Sequence, residues 1–427
     1  MVTPICPFAT LRLMEHIDVM RGRRILLGVT GSIACYKSVD LASKLTQAGA
    51  EVDVILTESA TRFVSPLSFR SVTGRTVYTD MWDLSDHVRH VGLGETADLL
   101  LIAPATAHTI AKLAAGLADN LLTLTTLAAR CPVLVAPAMD GGMWQHPATQ
   151  ANVTVLAERG VILAGPAEGR MASGMHGKGR MVEPDDLFGN ARLLLSRQGP
   201  LHGRRVVVSA GGTREAIDPV RFITNRSSGK QGVAVAQAAL DAGAAVTLIV
   251  TPGCEQWPFG ATVIEVESAQ DMAEAVLATI DGTDVLFMVA AVADFKPESA
   301  AERKIKKSDD SDEGLTLVMT RTTDILMAVK ESREMSGYPR LVLGFAAETH
   351  NAADYGRDKL LRKGLDLIAV NDVTEAGAGF AGDTNRVLLL DSSGIVEAMP
   401  LQSKTGIAER LVYHITAALN DDRSSSD

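Results

Sequence analysis

Three arginines, an asparagine and an SSGK run crowd into residues 214–230: Arg214, Arg221, Asn225, Arg226 and Ser227–Lys230. Upstream, the apolar β-type run Arg205–Ser209 empties into Gly211 and Gly212. Downstream, Gly232–Leu240 has a helical pattern. A strand, a glycine turn and a helix N-terminus leave backbone N–H groups free to hold an anion. The cations add charge where a phosphorylated ligand needs it. An ordinary βα turn with a solvated basic loop explains Gly211–Thr213 equally well, because short glycine motifs recur by chance. The density of anion-binding side chains in one loop favours a site.

A second turn of this kind lies near the N-terminus. Arg24–Thr30 is an apolar run with the length of a buried strand. It ends in Gly31–Ser32–Ile33–Ala34, and a helical pattern continues to about Gln47, closed by Gly49. Glu51–Thr57, Leu99–Ala103, Val133–Ala136 and Val161–Ala164 read as further strands, with helices at Ala107–Ala115 and Thr149–Arg159. Strands alternating with helices predict a parallel sheet covered on both faces. Ligands of such sheets lie beyond the carboxyl ends of the strands. Those ends carry Gly31–Ser32, Thr57, Pro104–Thr109 and Pro137–Met143, so one ligand touching all four loops is expected. GVTGSIA lacks the spacing of a dinucleotide fingerprint. It suits a mononucleotide, with Ser32 and the amides of the helix start placed for one phosphate.

The length of 427 residues predicts two domains. Apolar content of 46% with 22% charged residues is globular, and a net charge of −10 argues against general nucleic-acid binding. No apolar run reaches the ~20 residues of a membrane span. The four cysteines, Cys6, Cys35, Cys131 and Cys254, are scattered with no C-x-x-C pair, as expected in a reducing cytoplasm without disulfides or a zinc site. Cys35 and Cys131 read as small core residues. Residues 1–20 read as a loose extension, 21–197 as the first domain with Asp185–Arg197 as its closing helix, and Gln198–Gly203 as a Pro/Gly linker. The second domain, 198–420, restarts the rhythm with strands Arg205–Ser209, Ala245–Val250, Val263–Val266, Asp284–Val289, Leu341–Phe345 and Asp366–Val370. A hairpin follows (Asn385–Leu390 with Ile395–Met399), then a final helix, Lys404–Leu419. Residues 421–427 read as a disordered tail. The fold class is α/β, two domains, each a mainly parallel sheet with helices on both faces.

GSIACYK, TESATRF, RHVGLGETADLLLIAPATAHTIAK and PAMDGGMW resemble the flavin-dependent cysteine decarboxylases, a flavodoxin-like fold. They resemble more closely the phosphopantothenoylcysteine decarboxylase half of the bifunctional coenzyme A biosynthesis proteins, over about Arg21 to Arg197. The resemblance implies FMN held by Gly31, Ser32, Ile33 and Ala34, by Thr57 and Phe63, and by Thr106, Ala107, His108 and Thr109. It implies His90 as the catalytic base, whereas His87 and His146 read as surface or packing residues. Oxidising the cysteinyl thiol to a thioaldehyde makes the adjacent carboxylate a good leaving group, with the flavin as electron sink and a histidine managing the proton. Asp140 and Met143 fall in the substrate motif P-A-M-N-x-x-M-W, where Asp140 replaces the asparagine. An amide that can donate to a carboxylate has become a group that repels one when ionised. In GRMASGMHGKGRM, Ser173 stands where the family commonly has a cysteine proton donor. Serine is a poor acid, and His176 is the substitute considered. The four glycines of Gly169–Gly179, with Arg170, Lys178 and Arg180, suit a mobile cover over an anionic substrate and an ordinary flexible loop equally.

AGGTREAIDPVRFITNRSSGKQG, MVAAVADFKP, ERKIKK, TTDIL, GFAAET, the Lys359–Lys363 pair and NDV resemble, in order, the phosphopantothenate–cysteine ligase domain of the same family, a Rossmann-like fold. The resemblance implies that CTP activates the carboxylate of 4′-phosphopantothenate as an acyl-cytidylate and that cysteine displaces CMP. Asn225 would bond the acyl-cytidylate or pantothenate end, with Arg221 and Arg226 near its phosphate. Ala290, Ala291, Val292 and Asp294 would form the cytidine and metal corner, with Mg2+ accompanying the triphosphate. Lys304 would neutralise charge on the α-phosphate. Thr323, Asp324, Ile325 and Leu326 (TDIL) fall among the substrate-binding positions. Phe345 would stack on the base, and Lys359 and Lys363, four apart on a helix, would face the triphosphate; a solvated helix surface is the plain reading of that pair taken alone. The family further implies ligase dimers and flavin-domain trimers. The expected function is CTP-dependent coupling followed by FMN-dependent decarboxylation to 4′-phosphopantetheine. Two rivals stand beside it: an active ligase fused to an impaired flavoprotein domain that scaffolds the oligomer, and a non-enzymatic flavin-binding regulator.

Overall fold

The computed structural model describes residues 18–82, 89–171, 174–254, 256–306, 315–348, 351–372 and 382–424. The chain forms two compact units, Asp18–Arg197 and the stretch from Gln198 onward. In the first, β1 (Arg24–Val29), β2 (Glu51–Leu56), β3 (Val77–Tyr78), β4 (Leu99–Ala105), β5 (Val133–Pro137) and β6 (Ile162–Leu163) form a parallel sheet in the order β3-β2-β1-β4-β5-β6. Side chains alternate across it. Ile25, Leu27, Val29, Leu99, Leu101 and Ala103 join one core, and Leu26, Leu100, Ile102 and Ala105 join the core on the opposite face. Burial of both faces is why these strands are apolar at most positions; the buried Asp53 of β2 is paired with Arg75.

The flap segment, expected as a loop, is an antiparallel ribbon of β7 (Ala167–Arg170) and β8 (His176–Arg180). Ser173 lies outside the described residues, as do His87 and Cys6.

In the second unit β9 (Arg205–Ala210) runs into a second ribbon, β10 (Arg214–Ala216) with β11 (Phe222–Thr224), where the sequence reads only as a polar loop. The main strands follow: β12 (Ala245–Val250), β13 (Thr262–Glu265) and β14 (Val285–Met288). A small ribbon, β15 (Phe295–Pro297) with β16 (Met319–Arg321), precedes β17 (Leu341–Glu348), β18 (Leu367–Asp372), β19 (Thr384–Asp391) and β20 (Gly394–Ser403). The large sheet has the order β13-β12-β9-β14-β17-β18-β19-β20; its first six strands are parallel, and β19 and β20 are antiparallel. The last helix does not stop at Leu419. It runs Lys404–Ser424, since after Gly406 in its first turn no glycine or proline interrupts it, and four of the seven expected tail residues, 421–424, fall within it.

Both parallel sheets wind outward in two directions from their first strand, so each has a switch point: β1 beside β4, and β9 beside β14. Each switch pair is braced alike at its start. Asp98 accepts from the Arg24 N–H at 2.8 Å and the Arg23 guanidinium at 3.1 Å. Asp284 accepts from the Arg205 N–H at 2.9 Å and the Arg204 guanidinium at 2.6 Å.

Candidate functional site

At the carboxyl end of the first switch pair, the Thr30 hydroxyl donates to the Pro104 carbonyl at 2.8 Å and accepts from the Thr106 N–H at 3.0 Å. That fixes the loop leading into the helix Ala107–Ala115. Thr106 caps this helix by accepting from the Thr109 N–H at 3.3 Å. Gly31 approaches Ser59 so closely that a Cβ would collide with it. Around these groups lies a cavity of about 670 Å³ that includes Gly31, Ser32, Thr57, Ser59, Thr106, Ala107, His108, Thr109 and Met143. Its hydroxyls and the capped helix start suit one phosphate on a largely uncharged body. Lys112 lines it too but is paired with Asp119 at 2.7 Å, which holds that carboxyl below the usual range.

Ser32 also borders a neighbouring cavity of about 580 Å³, where Ile33, Ala34, Lys37, Asp140, Arg170 and Arg180 are found. Asp140 caps the short helix Gly141–Gln145, accepting from the Gly142 N–H at 3.0 Å, a task that asparagine and aspartate perform about equally. The ribbon docks on this segment: the Met139 N–H donates to the Gly179 carbonyl at 2.9 Å. A Cβ on Gly179, at φ +155°, would strike the Met139 carbonyl. His90, half-buried at the start of the helix Arg89–Thr96, and Phe63, 52% exposed, line neither cavity.

The second switch pair uses the same device. The buried Ser209 hydroxyl accepts from the N–H groups of Val289 and Ala290, both at 3.1 Å, and Thr213 accepts from Ala293 at 2.9 Å. Gly211 has φ +93°, and a Cβ there would collide with Thr251. At Gly232 a Cβ would lie 2.6 Å from that of Ala210, so glycine lets the helix Lys230–Asp241 pack closely on β9.

The crevice beyond this switch has a volume of about 340 Å³. Of the expected residues it gathers Asn225, Ala290, Ala291, Val292, Asp294, Phe345 and Lys359. The Asn225 amide donates to the carbonyls of Ala291 and Val292, each at 3.2 Å. Lys359 donates to the Phe345 carbonyl at 3.2 Å, and burial pushes its ammonium below the ordinary lysine range.

Other expected residues stand outside the crevice. Arg226 and Lys304 are exposed and line no part of it. Arg221 is engaged with Asp218 and the Ile305 carbonyl. Lys363 contacts Asp324, which caps the helix Ile325–Ser336 by accepting from the Met327 N–H at 3.2 Å. Ile325 is core, while Thr323 and Leu326 do not border the crevice.

Sequence reasoning missed Gln231, Asn371, Asn385 and Lys404, each at most 9% exposed and each bordering the crevice. The Gln231 amide donates to the Lys404 carbonyl at 3.1 Å, and Asn385 donates to Gln231 at 3.3 Å. Burial pushes Lys404 down as well. The SSGKQG and NDV matches contain Gln231 and Asn371, but nothing local marks Asn385 and Lys404. No cluster of three metal-ligating side chains occurs among the described residues, and none of their helices is long and apolar enough to cross a membrane.

Two family models match the chain. One, described as flavoprotein, covers residues 13–192; the other, described as DNA/pantothenate metabolism flavoprotein C-terminal domain, covers 201–419. The chain is 45% identical over 404 residues to the coenzyme A biosynthesis bifunctional protein CoaBC of Bacillus subtilis, covering 93% of this chain and 98% of that one. It is 46% identical over 409 residues to the protein of that name from Mycobacterium tuberculosis H37Rv, with 93% and 97% covered. Among solved structures, the C-terminal domain of a CoaBC protein superimposes on 52% of this chain and 100% of its own, at 36% identity and a TM-score of 0.44.

Proposed function

This chain belongs to the bifunctional coenzyme A biosynthesis proteins, a flavoprotein decarboxylase domain joined to a ligase domain, and from that premise we propose how its two sites divide the work. The second unit couples 4′-phosphopantothenate to cysteine at the expense of CTP, through an acyl-cytidylate. The first decarboxylates the product to 4′-phosphopantetheine with FMN. The observation that carries this reading is the crevice at the β9–β14 switch, where Asn225, Asp294, Phe345 and Lys359 converge beside the Ser227–Lys230 turn.

In the crevice, Asn225 is held against the wall by its two amide bonds, and its carbonyl oxygen is left to orient the acyl group. The Ser228–Lys230 turn, Lys359 and Lys404 meet the triphosphate charge. Phe345 packs on the base. Lys304 reaches the α-phosphate as charge builds there. Mg2+ enters with the nucleotide; the lone carboxylate Asp294 suits an ion held mostly by phosphate oxygens and water.

In the first unit, Gly31–Ala34, Thr57 and Thr106–Thr109 would hold FMN, and the hydroxyl-rich wall with its capped helix fits a single phosphate. FMN, when bound, supplies the acceptor for the two electrons removed from the cysteinyl group. His90 takes the proton. Asp140 and Met143 bind substrate from the segment that the ribbon covers; by sequence alone, Ser173 falls at the family's donor position.

A one-pot reaction with 4′-phosphopantothenate, cysteine, CTP and Mg2+, read by mass spectrometry, tests the whole scheme. Accumulation of 4′-phosphopantetheine with CMP is expected. Accumulation of phosphopantothenoylcysteine alone would leave the ligase standing and favour the impaired flavin half. Absence of both CMP and coupled product would overturn the ligase assignment.

A further inference from the structure

Asp218 lies in the turn joining β10 to β11, and its carboxylate is fully buried. Its Oδ1 accepts from the backbone N–H groups of Val220 at 2.8 Å and Arg221 at 2.9 Å. Its Oδ2 accepts from the Arg221 guanidinium at 3.0 and 2.5 Å, and from the Ile305 N–H, 87 residues away, at 3.1 Å. Arg221 also donates to the Ile305 carbonyl at 2.9 Å. The turn closes without this help, since the N–H groups of Ile217 and Asp218 already donate to the Arg221 carbonyl. The Asp218–Arg221 pair therefore does something else: it grips both backbone groups of one distant residue. A second tie, from the Ala301 N–H to the Ile217 carbonyl at 2.9 Å, holds the same segment four residues earlier. Lys304 is between the two ties, exposed, on a stretch with no helix or strand of its own.

We infer that Asp218, acting with Arg221 through Ile305, is a positioning residue that sets the reach of Lys304 toward the ligase crevice. This rests on the role proposed above for Lys304. A long side chain on a free segment samples many placements, and small displacements of a reacting group cost on the order of 100-fold in rate. Pinning the backbone on both sides of Lys304 removes most of that freedom. The Arg221 guanidinium holds the Asp218 carboxyl far below the usual carboxylate range, so the grip persists at neutral pH.

The test is a double-mutant cycle on CMP formation in the full chain. Asp218→Ala is expected to lower kcat on the order of 10- to 100-fold with KM for CTP changed less than about threefold. Added to Lys304→Met, it is expected to cost nothing more. Asp218→Asn, which keeps an acceptor for the Ile305 N–H, is expected to recover part of the rate. The thermal midpoint of the second unit in each variant reports whether that unit is folded. Deuterium exchange of the peptide containing Ile305 is expected to quicken in Asp218→Ala, and this arm reads the anchor whether or not the chain ligates. Multiplying losses in the double variant, an unchanged rate in Lys304→Met, or unchanged exchange at Ile305 would each overturn the inference. Absence of ligation by the wild-type chain would instead overturn the proposed function.

Discussion

The two units solve one problem with one frame and two chemistries. Each braces the start of its switch pair with an aspartate gripping two consecutive arginines, Asp98 with Arg23 and Arg24, and Asp284 with Arg204 and Arg205. Each ties the far end with a hydroxyl on or just beyond the first strand, Thr30 or Ser209. Beyond that point they diverge. The first opens a cavity of about 670 Å³ walled by hydroxyls and a capped helix, its one lysine already paired. The second narrows to about 340 Å³ and brings Lys359 and Lys404 out of solvent. A frame of hydrogen bonds fixes where a ligand can lie; the loops grafted on it decide which ligand.

If the sites are separately built, a change in one leaves the other intact. The largest effect is expected from Asn225→Ala, which removes both hydrogen bonds to the Ala291 and Val292 carbonyls beyond β14. CMP formation falls about 100-fold, while supplied phosphopantothenoylcysteine is decarboxylated at the wild-type rate; equal losses in both assays would break the comparison. Gly31→Ala forces a methyl into Ser59 at a cost of about 2 kcal/mol, about thirtyfold in flavin affinity. Flavin absorbance per chain measures this, with coupling unaffected.

Thr30→Val and Ser209→Ala sharpen the parallel. Each leaves part-buried N–H groups without their partner, at about 1–3 kcal/mol, and each is expected to lower the thermal midpoint and the activity of its own unit only. The smallest effect is on pH dependence. Burial holds Lys359 and Lys404 below the ordinary range. Between their folded values and the ordinary lysine value, the unfolded chain binds more protons than the folded one. Stability of the second unit therefore rises with pH through that window, the cost of burying the charge being fully present below it. Nucleotide affinity is expected to fall over the same window as the ammonium groups are lost. Lys359→Arg is expected to move that fall to higher pH in calorimetric titrations, with flavin binding unchanged.

The strands were legible because strands buried on both faces are apolar at most positions, and Arg24–Thr30 and Arg205–Ser209 end in glycine turns as read. The ribbons were not. Four residues at Ala167–Arg170 or three at Arg214–Ala216 carry no apolar alternation, since backbone pairing rather than a core makes them. Local loop chemistry marked Ser32, Thr57, Thr106 and Asn225, and all four border cavities. Asn385 and Lys404 escaped notice because they reach the crevice from a hairpin and a helix start more than 150 residues from Gln231, by bonds that no local pattern encodes. Arg221, read as a phosphate ligand from its charge, is instead engaged by a carboxylate three residues away. Charge density marked a loop that borders the crevice and not the partner of each charge.

The most direct test of separately built sites is a calorimetric titration of the flavin-loaded chain with CTP and Mg2+, followed at the same time by flavin absorbance. One nucleotide per chain is expected to bind with the flavin spectrum unchanged, and the flavin-depleted Gly31→Ala chain is expected to bind it with the same affinity. Displacement of flavin by the nucleotide, or loss of nucleotide binding along with the flavin, would contradict the account.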